Sequence, residues 1–421
     1  MRKLLVVAAL ASLAGGCDSA GSRHGATGGS GGTGGGGSGG GGGSGTGGNG
    51  NPGGAACGQS DPNKDGDGDG YTPAMGDCND CDPGMNPAAI EIGANGKDDD
   101  CNGAVDDNNP ACDATAVGMK DGTSFAGSME ICDQRFFKGA MFTGPSDPKG
   151  RNVMPNFGIL KPKAGANFAL LSSGVAVDEM GAGYANPQSG TDFGNNAMNP
   201  LPNLTGASNC GQGAQDSVHD YTELVLTLKA PSNVNSFSFE FQFFSGEYPV
   251  YVCSQFNDEF LAIVQSSKTY TTPTNISFDA NKNPVTVNSG FFTVCKNDTS
   301  KPQTQHCTHP PSDNQGTGYE MTTGGSPIPL PIPVPGDIPG GSTGWLTTVA
   351  PIQPGEDVTL RFVIFDEGDG VLDSAVLLDN FQWGAATVMG PSTGPIGYKM
   401  IKHHRKAASP ALMCLSPDAR T

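Results

Sequence analysis

Four phenylalanines occupy alternate positions in the stretch SFSFEFQFFS: Phe237, Phe239, Phe241 and Phe243. Successive side chains of an extended strand point to opposite faces, so this run buries one face and turns the other away. A helix would scatter the same rings around its axis. Comparable short apolar runs recur in NFALLSSGVAV, ELVLTLKA, EFLAIVQSS, PVTVNSGFFTV, DVTLRFVIFD and AVLLDNFQW, with Gly, Pro, Asn and Asp between them. No long stretch carries a helical period. Sequential strands with turn punctuation predict a mainly β domain over residues 114–384, an antiparallel β-sandwich of jelly-roll-like type. One insert departs from this texture. SPIPLPIPVPGDIPGG (Ser326 to Gly341) alternates proline with aliphatics, which predicts an extended loop, because proline cannot join a central strand.

The rest of the chain is of another kind. Glycine contributes 65 of 421 residues, and many of them fall in residues 17–56, a Gly/Ser-rich stretch with nothing to bury. It predicts a flexible, disordered tether with a reach of roughly 35 Å. Residues 385–421 are weakly patterned and predict a disordered tail, even where the basic KMIKHHRK falls. A formal net charge of −19 argues against nucleic acid, whose phosphates it would repel, and suits cations. Twelve cysteines point to an oxidising compartment.

The first residues agree. MRKLLVVAALASLAGGC has a basic start, a short apolar run and small residues before Cys17. Residues 1–16 read as a secretory signal, too short to span a bilayer as a helix. The ending LAGGC resembles a bacterial lipobox. That resemblance implies cleavage before Cys17, lipid on Cys17, and a membrane partner through that lipid. The expected location is the bacterial cell envelope, in the outer membrane or exposed at the cell surface.

Residues 57–113 form a small acidic module with almost no aliphatic periodicity. Disulfides and bound metal are the usual substitutes for a core in so small a unit. DGDGDGYTPAMGDCNDCDP packs like charges close together, which invites a cation. A hard ion such as calcium takes six to eight oxygens, and alternate residues of a tightly curled loop supply them as D-x-[DN]-x-[DN]-G. Asp65, Asp67 and Asp69 with Gly70 fit this spacing, with Asp77 downstream as a closing carboxylate. Asp61, Asn63 and Asp65 with Gly66 fit an overlapping register. A further copy follows as Asp98, Asp100 and Asn102, then Gly103 and Asp106. Neither copy has a glutamate at the twelfth position or flanking helices, so these are calcium-loop-like rather than EF-hands. Copper or zinc would want imidazole or thiolate, and the module has no histidine.

DGDGDGYTPAMGDCNDCDPGMNPAAIEIGANGKDDDCNGAVDD resembles the metal-binding repeat named after the copper-binding surface protein MopE. Its pattern runs D-x-D-G-D-G-[YF], D-C-[ND]-D, N-P-x-A-x-E, then N-G-x-D-[DN]-D-C-N-G. The family has a cysteine after the EI pair, where this chain has Gly93, and Cys81 is extra. The bridge to Cys101 therefore starts from Cys78 or Cys81. We further expect Cys57 to pair with Cys112 and Cys295 with Cys307, leaving Cys132, Cys210, Cys253 and whichever of Cys78 and Cys81 remains to pair among themselves. A copper-binding surface protein is the alternative that the namesake implies.

FALLSSG, FSFEFQFFSGEYPVYVCSQFNDEFLAIV and FVIFDEGDGVLDSAVLLDNFQW resemble the choice-of-anchor L domain of bacterial surface proteins, over Phe157 to Trp383. The resemblance implies an exported protein held at the surface. The expected function is ligand binding or adhesion, toward an extracellular glycan or a surface protein. In the same domain Glu247, Asn257, Asp258, Asp366, Asp369 and Asp373 are expected at strand ends or in loops, where a sandwich gathers its connections, and form a further candidate calcium site. No G-x-S-x-G or H-E-x-x-H is present, and His219 beside Asp220 reads as a polar surface pair. We therefore expect no catalytic residues. A polysaccharide hydrolase is the alternative, with Glu240 and Glu247 as its two carboxylates.

Overall fold

The computed structural model describes residues 61–107, 111–202, 204, 210, 215–320 and 340–397. The signal, the tether, Cys17, Cys57, nearly all of the proline-rich insert and the tail beyond residue 397 lie outside the described residues.

In chain order the strands are β1 (Phe137–Thr143), β2 (Arg151–Met154), β3 (Phe168–Ser172), β4 (Ala197–Met198), β5 (Ser217–Lys229), β6 (Ser236–Ser245) and β7 (Glu259–Ser266). They continue as β8 (Thr274–Asn275), β9 (Val285–Thr286), β10 (Gly341–Ser342), β11 (Leu346–Pro351), β12 (Asp357–Asp366), β13 (Ser374–Gly384) and β14 (Ser392–Pro395). A single α-helix among the described residues, α1 (Gly122–Gly127), precedes them. Its N-terminus is capped by Asp121, which accepts from the Ser124 amide.

The strands form two antiparallel sheets. One is ordered β1-β5-β12-β7-β8, with β4 on β5 and β9 on β7. The other is ordered β14-β11-β6-β13-β3-β2, with β10 on β6. β5, β6 and β7 alternate between the sheets, as do β11, β12 and β13, the alternation of a jelly roll. The alternating phenylalanines set the interior. Phe237, Phe239, Phe241 and Phe243 are all buried in the main core. Phe239 meets Phe362 of β12 edge-on with ring centroids 4.9 Å apart, and Phe241 meets Phe260 of β7 at 5.1 Å. These contacts join one sheet to the other, since β6 belongs to the second sheet and β7 and β12 to the first.

PVTVNSGFFTV departs from expectation. Only Val285 and Thr286 form a strand, against Phe260 and Glu259, and Pro284 and Val294 add isolated bridges, because the chain turns at once through Asn288 and Ser289. β1 carries no alternation strong enough to announce it, since its residues are half-buried or exposed throughout at a sheet edge.

The disulfides correct one pairing. Cys112 joins Cys132, not Cys57. The segment after Cys112 folds back through α1, whose Gly127 lies against the Cys112 sulfur, so Cys132 arrives beside it. Cys78 pairs with Cys101, Cys210 with Cys253 and Cys295 with Cys307. Cys81 is also disulfide-bonded.

The acidic module docks on the sandwich. The turn between β5 and β6 meets it: the Ser232 amide donates to the Ala88 carbonyl at 2.9 Å, and the Ile90 amide to Asn233 Oδ1 at 3.0 Å. Arg135, just before β1, pairs with Asp100 at 2.9 Å.

Candidate metal centre

The first acidic loop is built by its own backbone. Asp65 accepts from the Gly68 amide at 2.6 Å and the Gly70 amide at 2.9 Å, and both glycines take positive φ, near 85° and 95°. Only glycine adopts that conformation readily, which is why the spacing ends in it. Asp67 Oδ1 accepts from the Asp69 amide, and Asp69 Oδ1 from the Tyr71 amide. These bonds curl the loop until one oxygen from each of Asp65, Asp67 and Asp69 lies within 4.8 Å of the others.

Asp77, expected to close the loop, lies near enough to feel Asp69 and Asp67 but is not among the three that converge. Its Oδ1 accepts from the Asn79 amide, while its Oδ2 and Asp67 Oδ2 are buried without a hydrogen-bond partner. Burial pushes the Asp67 and Asp77 carboxyls up, and neighbouring carboxylates, Asp69 and Asp80 among them, push further. Asp65 is held low by the Gly68 and Gly70 amides instead. Asp80 was missed from the sequence although it lies in the D-C-N-D element. Its Oδ1 accepts from the Gly66 amide at 2.7 Å, and a Cβ on Gly66 would lie 2.6 Å from its carbonyl oxygen. Asp61 and Asn63 stand outside the set: both are exposed, and Asp61 accepts from the Asn63 amide.

The second copy assembles differently from its spacing. Asp98 spends its carboxylate on the Asn102 and Gly103 amides, and Asp106 on the Asn95 and Gly96 amides. Both pin turns. The three carboxylates that converge within 4.8 Å are Glu91, Asp100 and Asp107. Glu91 accepts from the Asp100 amide through Oε1, and its Oε2 is buried and unpartnered. Burial, then Asp100, pushes the Glu91 carboxyl up. Asn102 reaches the set through Asp107, donating from Nδ2 at 3.3 Å. The glutamate of N-P-x-A-x-E was the signal for Glu91. Spacing alone could not supply it, because Glu91 arrives from the preceding turn. Arg135 already neutralises part of this set through Asp100.

Beside this second set a cavity of about 390 Å³ opens between module and sandwich. Glu91, Asp107, Glu130, Phe136 and Trp383 line it.

In the sandwich, the predicted acids gather where the β6–β7 and β12–β13 connections meet. Glu247, Asp258, Asp366 and Asp373 are buried. Asn257 is buried too and accepts from Asn288 at 2.7 Å, while Asp369 is half-exposed and accepts from the Val371 amide. Asp220 belongs with the buried acids: it is fully buried on β5, not a surface residue. Glu240 lies mid-β6 under the influence of Lys163 and Asn380, while Glu247 lies beyond the end of that strand against Asp258. The strand therefore carries the two glutamates into different surroundings.

A family model described as the choice-of-anchor L domain matches residues 156–382. A second, for a MopE-type candidate metal-binding motif, matches residues 77–107. It begins at Asp77, so the Asp65–Asp69 loop lies just ahead of it. None of the curated proteins matches the chain.

Proposed function

This chain belongs to the choice-of-anchor L domain family, and from that premise we propose that it is a lipid-anchored surface protein whose acidic module holds calcium and whose sandwich binds a ligand outside the cell. Family membership makes it surface-associated; the calcium, the anchor and the adhesive role are the extension. One observation carries the calcium reading. Asp67 and Asp77 each bury a carboxylate oxygen that no protein group satisfies, beside the converging oxygens of Asp65 and Asp69. A buried charge of this kind needs a counter-ion or a proton. The donors are all oxygen, and Cys78, Cys81 and Cys101 are oxidised and supply no thiolate. That set suits calcium better than copper or zinc.

For the ligand we favour a glycan. The cavity beside Glu91 and Asp107 offers the Trp383 ring for a sugar face and carboxylates for hydroxyls, an arrangement typical of small-ligand sites. The test is calorimetric titration of the full mature chain with calcium, copper and zinc, then a glycan array run with and without calcium. Calcium should bind, the double variant Asp67→Asn with Asp77→Asn should lose at least tenfold in affinity, and glycan binding should need calcium. Tight copper binding with no calcium heat would reverse the choice of metal. The anchor proposal rests on LAGGC before Cys17. Cys17→Ser should move the protein from the membrane fraction to the soluble one, and retention in the membrane would refute lipidation there.

A further inference from the structure

The second carboxylate set opens onto the cavity at the seam between module and sandwich. Glu91, Asp100 and Asp107 each bring one oxygen within 4.8 Å of the others. Glu91 and Asp107 line the cavity of about 390 Å³, while Asp100, 7% exposed, forms no part of its wall. Glu91 Oε1 accepts from the Asp100 amide, and its Oε2 is buried with no hydrogen-bond partner. A carboxylate oxygen shut away from water and left bare calls for a cation or a proton. Arg135 reaches the set at Asp100, 2.9 Å away, but divides its charge with Asp133, 2.7 Å away. Three carboxylates against one shared guanidinium leave the set net negative.

The rest of the wall is apolar. Phe136, Phe381 and Trp383 contribute to it. Trp383 meets Phe381 edge-on with ring centroids 5.0 Å apart, and Phe237 edge-on at 6.2 Å, so its indole is held in place. A fixed aromatic ring and a pair of carboxylates thus share one concave site, a combination that suits a ring-shaped, hydroxylated ligand.

We propose that Glu91, Asp100 and Asp107 hold a second calcium ion, and that a sugar in the cavity coordinates this ion through two neighbouring hydroxyls while its ring lies on Trp383. This rests on the calcium reading above and adds an ion that itself touches the ligand. Three carboxylates supply three to six oxygens and calcium takes about six to eight, so positions stay open to other donors. Those positions face the cavity, because Glu91 and Asp107 belong to its wall and Asp100 does not. Two adjacent hydroxyls fill two of them at once. A sugar that lacks one of the pair fills only one, so the ion selects vicinal diols.

The test uses the full mature chain and terbium, a hard oxygen-seeking ion that stands in for calcium and emits when a nearby tryptophan is excited. The chain has two tryptophans, Trp345 and Trp383. In an Asp67→Asn, Asp77→Asn background, which weakens the first loop, terbium should still emit and calcium should displace it. Trp383→Phe should abolish that emission and Trp345→Phe should leave it. Asp107→Asn alone changes an exposed side chain, spares the fold, and should weaken terbium about tenfold. Emission that survives Glu91→Gln with Asp107→Asn, or that follows Trp345, overturns the site. On a glycan array in calcium, every calcium-dependent binder should be lost with Asp107→Asn. A binder that this change leaves untouched overturns the bridging ion, and an array without a calcium-dependent binder overturns the sugar. Calcium heat in the wild type without Trp383-sensitised emission sinks the second ion alone. Neither heat nor emission sinks the calcium reading on which it rests.

Discussion

Glu130 is one residue whose charge state bears directly on this fold. It sits at positive φ, near 63°, with Oε2 accepting from the Asn380 amide and Oε1 buried and unpartnered. Burial, then Asp379, raises its carboxyl to about 9. A folded value above the unfolded one, for an acid, means that folding favours the protonated form. Stability from this group is therefore present below the unfolded value near 4.5 and is lost as pH rises toward about 9. Glu130→Gln keeps the neutral form at every pH. It should melt higher than wild type at pH 8 and about equally at pH 4.5, as thermal denaturation at both pH values would show. A variant less stable at pH 8 would mean that the charge is compensated there. At this scale the sequence was only partly readable. The convergence of Asp65, Asp67 and Asp69 followed from local spacing, because a curled loop gathers neighbours. Glu91, Asp107 and Asp220 did not, because distant chain segments bring them to their partners.

The strands were readable for a related reason. β6 announces itself through Phe237, Phe239, Phe241 and Phe243, and β12 through the alternation that opens DVTLRFVIFD, because a strand with one buried face writes its period into the chain; β13 is legible instead as the continuous buried run AVLL. β11 was harder. LTTVAP also alternates in burial, but it places Leu346, Thr348 and Ala350 inward, and the Thr348 hydroxyl bonds to the Ser277 hydroxyl at 2.8 Å. Small and polar inward residues leave little hydrophobic signal. The cost of disturbing β6 follows from its packing. Phe241 is fully buried and packs at a tilt against Phe260 across the sheets. Phe241→Ala should destabilise the domain by about 3–5 kcal/mol, read by urea denaturation. A loss under about 1 kcal/mol would mean that the interface between the sheets collapses around the gap.

At the scale of the whole molecule, the module is not a free-standing spacer. Ser232 and Asn233 hold its backbone, and Arg135 reaches Asp100 from the sandwich. The cavity lined by Glu91, Asp107 and Trp383 lies where the two meet, so an ion bound in the module would be adjacent to a ligand bound there. The central claim is that the module's carboxylates tolerate one another because calcium sits among them, and that this ion orders the loops. Residue-resolved hydrogen exchange on the full chain, in calcium, in copper and in chelator, tests it most directly. The amides of Gly68 and Gly70, bonded to Asp65, should be protected at least tenfold more in calcium than in chelator or copper, while core amides of β6 and β12 change little. Equal exchange of Gly68 and Gly70 in calcium and in chelator would contradict the account.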